Sequence, residues 1–198
     1  MKRLGITGYI RKKKHSAVNE GKEHYRFGNI LNREFRAEKP MQKIVTDVTY
    51  IRHKGKWYYL ACFMDLFNNE ILDYELSDVF DNFLVMKPAR RILEKVKGTD
   101  TPILLHSDQG VQYSSAGYCN LLKEYNVIQS MSRAGVPRDN AVIESFFGRF
   151  KDVMSSHFRK WDDIYKVVDE TIYYFNYIRP LRKLKRKTPV QYRIELAA

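Results

Sequence analysis

Several things are scarce in this sequence, and each scarcity narrows what the chain can be. Apolar runs are short. None approaches the roughly 20 residues that a membrane span needs, so no membrane partner is expected. Met1-Lys2-Arg3 is not followed by an apolar stretch or a small-residue cleavage site, so no secretory leader is expected and the location read from the sequence is cytoplasmic. There are only two cysteines, Cys62 and Cys119, and they form neither a CxxC nor any metal spacing. Buried, reduced thiols are the expectation. His15 and His24 have no cysteine partners at zinc spacing, which excludes a zinc-binding module there. No Ser-His-Asp or Cys-His pattern stands out, so chemistry through a nucleophilic side chain is not indicated.

Acidic residues are also scarce, but only at the two ends. Residues 1–43 hold twelve Lys/Arg against four Asp/Glu, and residues 179–198 hold seven against one. The stretch between carries sixteen against eighteen, so a net charge of +12 sits almost wholly on two flanking arms. Such arms suit a polyanion, of which nucleic acid is the commonest. The apolar fraction of 44% is that of a folded domain rather than a disordered tail. The reading is therefore a basic arm or linker over 1–43, a folded core over 44–178, and a basic tail with a short helix over 179–198.

The core has a readable order. Ile44–Arg52 alternates and is β-branched, a strand signature. Lys54-Gly55-Lys56 turns into a second strand, Trp57–Asp65, and Phe67-Asn68-Asn69 turns into a third, Glu70–Leu76. Asp81 reads as the N-cap of a helix over Asn82–Lys97 that Pro88 should kink or shift and Gly98 should end. Pro102–Ser107 is a short apolar run of the kind found in buried parallel strands. A helix over Ser115–Tyr125, capped by Ser114 or Ser115, leads to a last strand at Val127–Met131. Ser132–Asp139 is a loop, and Asn140–Ser155, Asp162–Ile178 and a short segment begun by Thr188-Pro189 are helices. A short helix is also expected near Asn29–Arg36. This order implies an α/β domain with a mixed five-stranded sheet and helices on both faces.

Three carboxylates stand out by position. Asp47 lies inside the first strand, where a charge is costly unless something compensates it. Asp108 follows the apolar strand, at the carboxyl end where α/β folds place ligands. Glu144 lies on the helix downstream. Each alone is ordinarily a surface residue. If the two strands are neighbours, however, Asp47 and Asp108 face each other and need a proton or a cation between them. An all-oxygen set points to Mg²⁺ or Mn²⁺. Two such ions about 4 Å apart serve in-line phosphodiester displacement.

Thr46-Asp47-Val48-Thr49-Tyr50, His106-Ser107-Asp108-Gln109-Gly110-Val111-Gln112-Tyr113 and Asp139-Asn140-Ala141-Val142-Ile143-Glu144-Ser145-Phe146-Phe147 closely resemble the three motifs of the retroviral-integrase-like DDE transposase catalytic core, most of all the OrfB-type transposases of a bacterial insertion-sequence family. Thirty-five residues separate Asp108 from Glu144, as in that family. Tyr177-Ile178-Arg179-Pro180 and Thr188-Pro189-Val190-Gln191-Tyr192 are similar to its C-terminal signature. Ile44 stands where the family often has Trp, and Leu181 where it often has His. Members usually carry a helix-turn-helix region ahead of the core, and no complete one is visible in this sequence.

The resemblance implies a ribonuclease-H-like fold and metal-dependent cleavage at a DNA 3′ end followed by strand transfer. It implies Asp47, Asp108 and Glu144 as catalytic residues and metal ligands, with Mg²⁺ or Mn²⁺, two ions, as cofactor. The expected partners are double-stranded DNA, as transposon ends and target, and further copies of the chain, at least two in synapsis. The protein would then act at the bacterial nucleoid. Lys151 and Asn140 share a helix face with Glu144, which makes both DNA-contact candidates, with Lys151 on the phosphates. His106, two residues before Asp108, either orients water or DNA or is a structural histidine. Gln109 and Tyr113 are expected to shape the loop. Phe146, Phe147 and the run Tyr173-Tyr174-Phe175 are expected in the core. Two other readings stay open: a ribonuclease-H-like nuclease that only hydrolyses, and a DNA-binding fragment without catalysis.

Overall fold

A computed structural model describes residues 25–97, 102–158 and 162–197. The arm before residue 25, with His15 and His24, and the helix stop at Gly98 lie outside the described residues.

The β-branched alternation produces the long first strand, β1 (Lys43–His53), which pairs antiparallel with β2 (Lys56–Asp65). The turn between them is Lys54-Gly55, with φ +46° and +79°. Left-handed backbone at both positions matches the twist of a two-residue hairpin, and Gly55 adopts it without a Cβ penalty. β3 (Ile71–Ser77) completes the meander. The chain then crosses over through α1 (Phe83–Lys95) to β4 (Leu104–Ser107), and through α2 (Ala116–Glu124) to β5 (Ile128–Met131). The sheet order is β3-β2-β1-β4-β5, with β4 parallel to both β1 and β5. A 3₁₀ turn at Pro137–Asn140 leads into α3 (Ala141–His157). α4 (Ile164–Tyr173) runs on into a π-helical turn, Tyr174–Ile178, and α5 (Pro189–Ala197) closes the described chain.

Alternation along the strands distributes two cores. Ile44, Ala61, Phe63 and Leu105 pack on Leu84, Val85 and Ile92 of α1 and Leu121 of α2. Val45, Leu60, Cys62 and Met64 point the other way, onto Ile143, Phe146 and Phe150 of α3 and Val167 and Val168 of α4. The sheet is thus covered on both faces, as its apolar strands require. Both cysteines are buried and free.

Several local expectations change. α1 runs through Pro88 as one helix. The proline's missing N–H leaves the Leu84 carbonyl without its usual donor, and Pro88 itself is buried. Asn82 rather than Asp81 is the N-cap, without a side-chain cap bond, while Asp81 Oδ1 accepts from Leu84 N at 3.2 Å. The helix expected near Asn29–Arg36 is absent: Asn32 and Arg33 take left-handed φ of +42° and +65°. Ser115 is the cap of α2. Thr188 and Gln191 exchange side-chain-to-backbone bonds at the start of α5, a capping box. The π turn has a physical cause. Its Asn176 side chain accepts from Ile71 N and donates to Ile71 O, both at 2.9 Å, covering part of the open edge of β3.

Asp65, at the end of β2, is fully buried and accepts from Met41 N and Phe67 N. Burial wins over these two donors and pushes its carboxyl up to about 6. A raised carboxyl holds its proton in the folded state while the unfolded chain releases it near pH 4. Its contribution to stability is therefore present below about pH 4 and lost as pH rises through about 6. Chemical unfolding of wild type and Asp65→Asn between pH 4 and 7.5 should show the wild-type advantage shrinking by as much as about 3 kcal/mol. A difference independent of pH would mean that this carboxyl titrates normally.

Candidate active site

The pairing of β1 with β4 decides where the motif carboxylates go. Lys43 pairs with Leu104, Ile44 with Leu105 and Val45 with His106, a constant offset of 61 residues. The pairing ends at Val45 and His106; continued two residues further, the same offset would bring Asp47 beside Asp108, which lies just past the end of β4. Asp47 follows Val45 with period two within β1, and Val45 packs on the α3 side of the sheet. Glu144 is in the first turn of that same α3.

The loop after β4 is held tightly. Gly110 N donates to Asp108 Oδ1 at 2.8 Å, and a Cβ on Gly110 would sit 2.9 Å from that oxygen. Gln109 Nε2 donates to Ser132 O. Tyr113 is fully buried, and its hydroxyl bonds Thr46 Oγ1 at 3.1 Å, one residue before Asp47. Burial, then Asp47, Tyr118 and Asp108, push the Tyr113 phenol well above its usual value. Burial, then Tyr59, Asp108 and Asp47, also raise that of Tyr50. Both phenols thus feel both aspartates.

Asp108 and Glu144 line one cleft of about 300 Å³ with Gly110, Arg133, Pro137 and Asn140. Asn140 joins the elements: its Nδ2 donates to Thr46 O at 3.2 Å, tying the start of α3 to β1. Its Oδ1 is buried with no hydrogen-bond partner among the described residues. Asp47 is half-buried, while Asp108 and Glu144 are exposed. Among the described residues no three His, Cys, Asp or Glu side chains stand close enough to enclose an ion. Such an open, all-oxygen arrangement suits Mg²⁺, which keeps several waters and takes few carboxylates, better than a closed protein cage would.

The other candidates separate. Lys151 is exposed on α3, two turns beyond Glu144. His106 is corrected as a DNA contact because it is fully buried. Ser130 Oγ accepts from Ile30 N and Leu31 N, so its own proton goes to His106 Nδ1 at 2.8 Å, and Nε2 donates to Ser132 Oγ at 3.1 Å. Burial lowers the imidazole to about 4, so it is neutral and fastens β4 to β5 immediately before Asp108. Phe146, Phe147 and Phe175 are core as expected, but Tyr173 is about half exposed. What sequence reading missed is the ionic lock of Arg33 and Arg133 on Asp139. Arg33 lies 106 residues from Asp139 and carries no local signal.

A larger hollow of about 730 Å³ lies at the far edge between β3, α4 and α5. Glu70, Tyr74, Asp169, Tyr177 and Arg193 are among the residues lining it, and no residue of the three carboxylate-bearing motifs is.

This sheet order with a carboxylate-lined cleft at the ends of two parallel strands defines a ribonuclease-H-like catalytic-core fold. Solved structures agree. The simian T-cell lymphotropic virus intasome, in complex with PP2A regulatory subunit B56 gamma, has a chain that superposes with a TM-score of 0.72 at 15% identity, over 88% of this chain and 60% of that one. The HTLV-2 integrase catalytic core domain, in complex with magnesium, gives 0.67 at 14% identity, over 80% of this chain and 99% of that one. Two integrase core domain models match, over residues 37–137 and 125–189. Putative transposase InsK for insertion sequence element IS150 of Escherichia coli is 41% identical over 167 residues, 83% of this chain and 59% of that protein. An uncharacterized transposase-like protein of Haemophilus influenzae is 35% identical over 197 residues, 98% of this chain and 90% of that one. The chain belongs to the integrase core domain family, on its insertion-sequence transposase branch. It spans about three-fifths of InsK and nine-tenths of the Haemophilus protein. No helix among the described residues is long and apolar enough to cross a membrane.

Proposed function

We propose that this chain is the catalytic domain of a DDE transposase that cuts and joins DNA ends, with Asp47, Asp108 and Glu144 as catalytic residues and ligands of one or two Mg²⁺ or Mn²⁺ ions. What supports this reading is that Asp108 and Glu144 line one cleft and that the β1–β4 offset, continued two residues, would bring Asp47 beside Asp108. A divalent cation bound there would stabilise the attacking and leaving oxygens of an in-line phosphodiester displacement.

The chain's own residues supply placement. Asp47 is fixed on the central strand. Asp108 is aimed by the Gly110 N–H. Glu144 is carried on α3, whose start Asn140 ties to β1. Lys151, farther along α3, meets DNA phosphates. In the first step water attacks a phosphodiester and leaves a free 3′-hydroxyl. In the second that hydroxyl attacks another phosphodiester: one P–O bond forms, one breaks, and no external energy source is needed. The substrates are double-stranded transposon ends and target DNA. Bringing two ends together requires at least two copies of the chain, acting in the cytoplasm at the nucleoid.

The test is a cleavage and joining assay on labelled DNA ends with Mg²⁺, Mn²⁺ or EDTA, using wild type and Glu144→Gln. Metal-dependent joining by wild type and its loss in the variant are expected. Cutting without joining would identify a hydrolytic nuclease instead. Undiminished joining by Glu144→Gln would remove that residue from the site.

A further inference from the structure

Asp139 is fully buried and carries two arginines. Arg133 donates to it through Nε at 2.8 Å, Nη2 at 2.9 Å and its backbone N at 3.1 Å, and Arg33 Nε donates at 2.7 Å. The Arg133 guanidinium, followed by that of Arg33, holds the carboxyl well below the usual carboxylate range. Two cations on one anion leave a unit of positive charge. That charge faces outward, because the side chains of Arg33 and Arg133 are 44% and 52% exposed although their partner is wholly covered.

Its location matters. Arg133 lines the same cleft as Asp108 and Glu144, and Asp139 precedes Asn140 at the start of α3. Arg33 arrives on a strap, residues 25–37, laid along β5. Tyr25 N donates to Ser114 O, Met131 N to Gly28 O, and Ile30 and Leu31 N to Ser130 Oγ, while Leu31 is buried. Arg33 is held at a left-handed φ of +65°, a conformation that non-glycine residues adopt only when the surroundings enforce it.

We propose that Arg33 and Arg133, braced on Asp139, form a phosphate subsite at the lip of the cleft that grips the DNA backbone beside the scissile bond. Asp139 is a positioning residue. It takes Nε of both arginines and Nη2 of Arg133, which leaves both terminal nitrogens of Arg33 and Nη1 of Arg133 as donors for phosphate oxygens. The subsite rests on the proposed DNA reading and adds contacts that the three carboxylates cannot make.

The test is equilibrium binding of a fluorescent 30-base-pair duplex to the full chain over a KCl series, with thermal melting of each variant. Arg133→Gln and Arg33→Gln should each weaken binding about tenfold and reduce the slope of log K against log salt by about one. Arg133→Lys should keep the slope, because the charge remains, but lose affinity with the fork. Arg90→Gln, on the opposite helix layer, should change neither. If Arg133→Gln fails to fold, Arg33→Gln and Arg133→Lys decide. Wild-type slope and affinity in the folded Arg33 and Arg133 variants overturn the subsite alone. No duplex binding by wild type overturns the DNA reading and the subsite together.

Discussion

Asp108→Asn is expected to fold as wild type does, bind duplex DNA with nearly wild-type affinity, and lose metal-dependent cleavage by at least about 10³-fold, the rate equivalent of roughly 4 kcal/mol of transition-state stabilisation. Asp108 is exposed just past the end of β4, so replacing its charge opens no cavity. Asn keeps the shape and the oxygen that accepts from Gly110 N. It removes the negative charge that, in the proposed site with Asp47 and Glu144, would hold a hard cation. Binding should survive because the basic arms supply most of the non-specific attraction. Gel-based cleavage of labelled ends, together with melting and duplex titration, checks all three statements. A variant that cuts at the wild-type rate would exclude Asp108 from the chemistry.

Gly110→Ala should reduce cleavage about 10²-fold through geometry alone, with charge and metal donors untouched. The added Cβ would lie 2.9 Å from Asp108 Oδ1, 3.2 Å from Gln112 Oε1 and 3.4 Å from a Tyr113 ring carbon. The tyrosine and Gln112 are buried and have little room to give, so the Asp108 carboxylate must swing away and break its bond to Gly110 N. Misplacement of a reacting group by about 1 Å costs on that order. Melting should fall only slightly, because the site opens to solvent. Titrating Mn²⁺ into the cleavage reaction separates the causes: a displaced ligand raises the metal concentration needed, whereas a general loosening does not. Wild-type activity in Gly110→Ala would show that the loop after β4 relaxes freely.

Much of this molecule was legible from local pattern. Five strands and the main helices follow from alternation, turn residues and caps, and these signals act within a few residues of each other. The meander Ile44–Leu76 is the clearest case, because each turn carries its own chemistry. Asp47 and Asp108 drew notice by position, a charge within a β-branched run and a charge after an apolar one. What escaped was non-local. The strap over residues 25–37 has a weak pattern of its own and takes its shape from β5, so a helix was expected where Asn32 and Arg33 turn left-handed. His106 looked like a DNA contact by its nearness to Asp108, yet strand alternation sends it inward between Ser130 and Ser132. Tyr173 was read as core with its neighbours, but the buried face of α4 runs through Ile164, Val167, Val168, Thr171 and Ile172, and Tyr173 lies off it, stacked on Tyr177 at the surface. The pairing of Arg33 with Asp139 spans 106 residues and leaves no periodic trace.

The measurement closest to the central claim is Mn²⁺ binding followed by electron paramagnetic resonance, with and without a DNA duplex, for wild type, Asp47→Asn, Asp108→Asn and Glu144→Gln. Wild type should take up Mn²⁺, more tightly with DNA present, and each single substitution should weaken uptake while melting stays near wild type. Equal Mn²⁺ binding by all four proteins would contradict the account, because the three carboxylates would then not be where the metal sits.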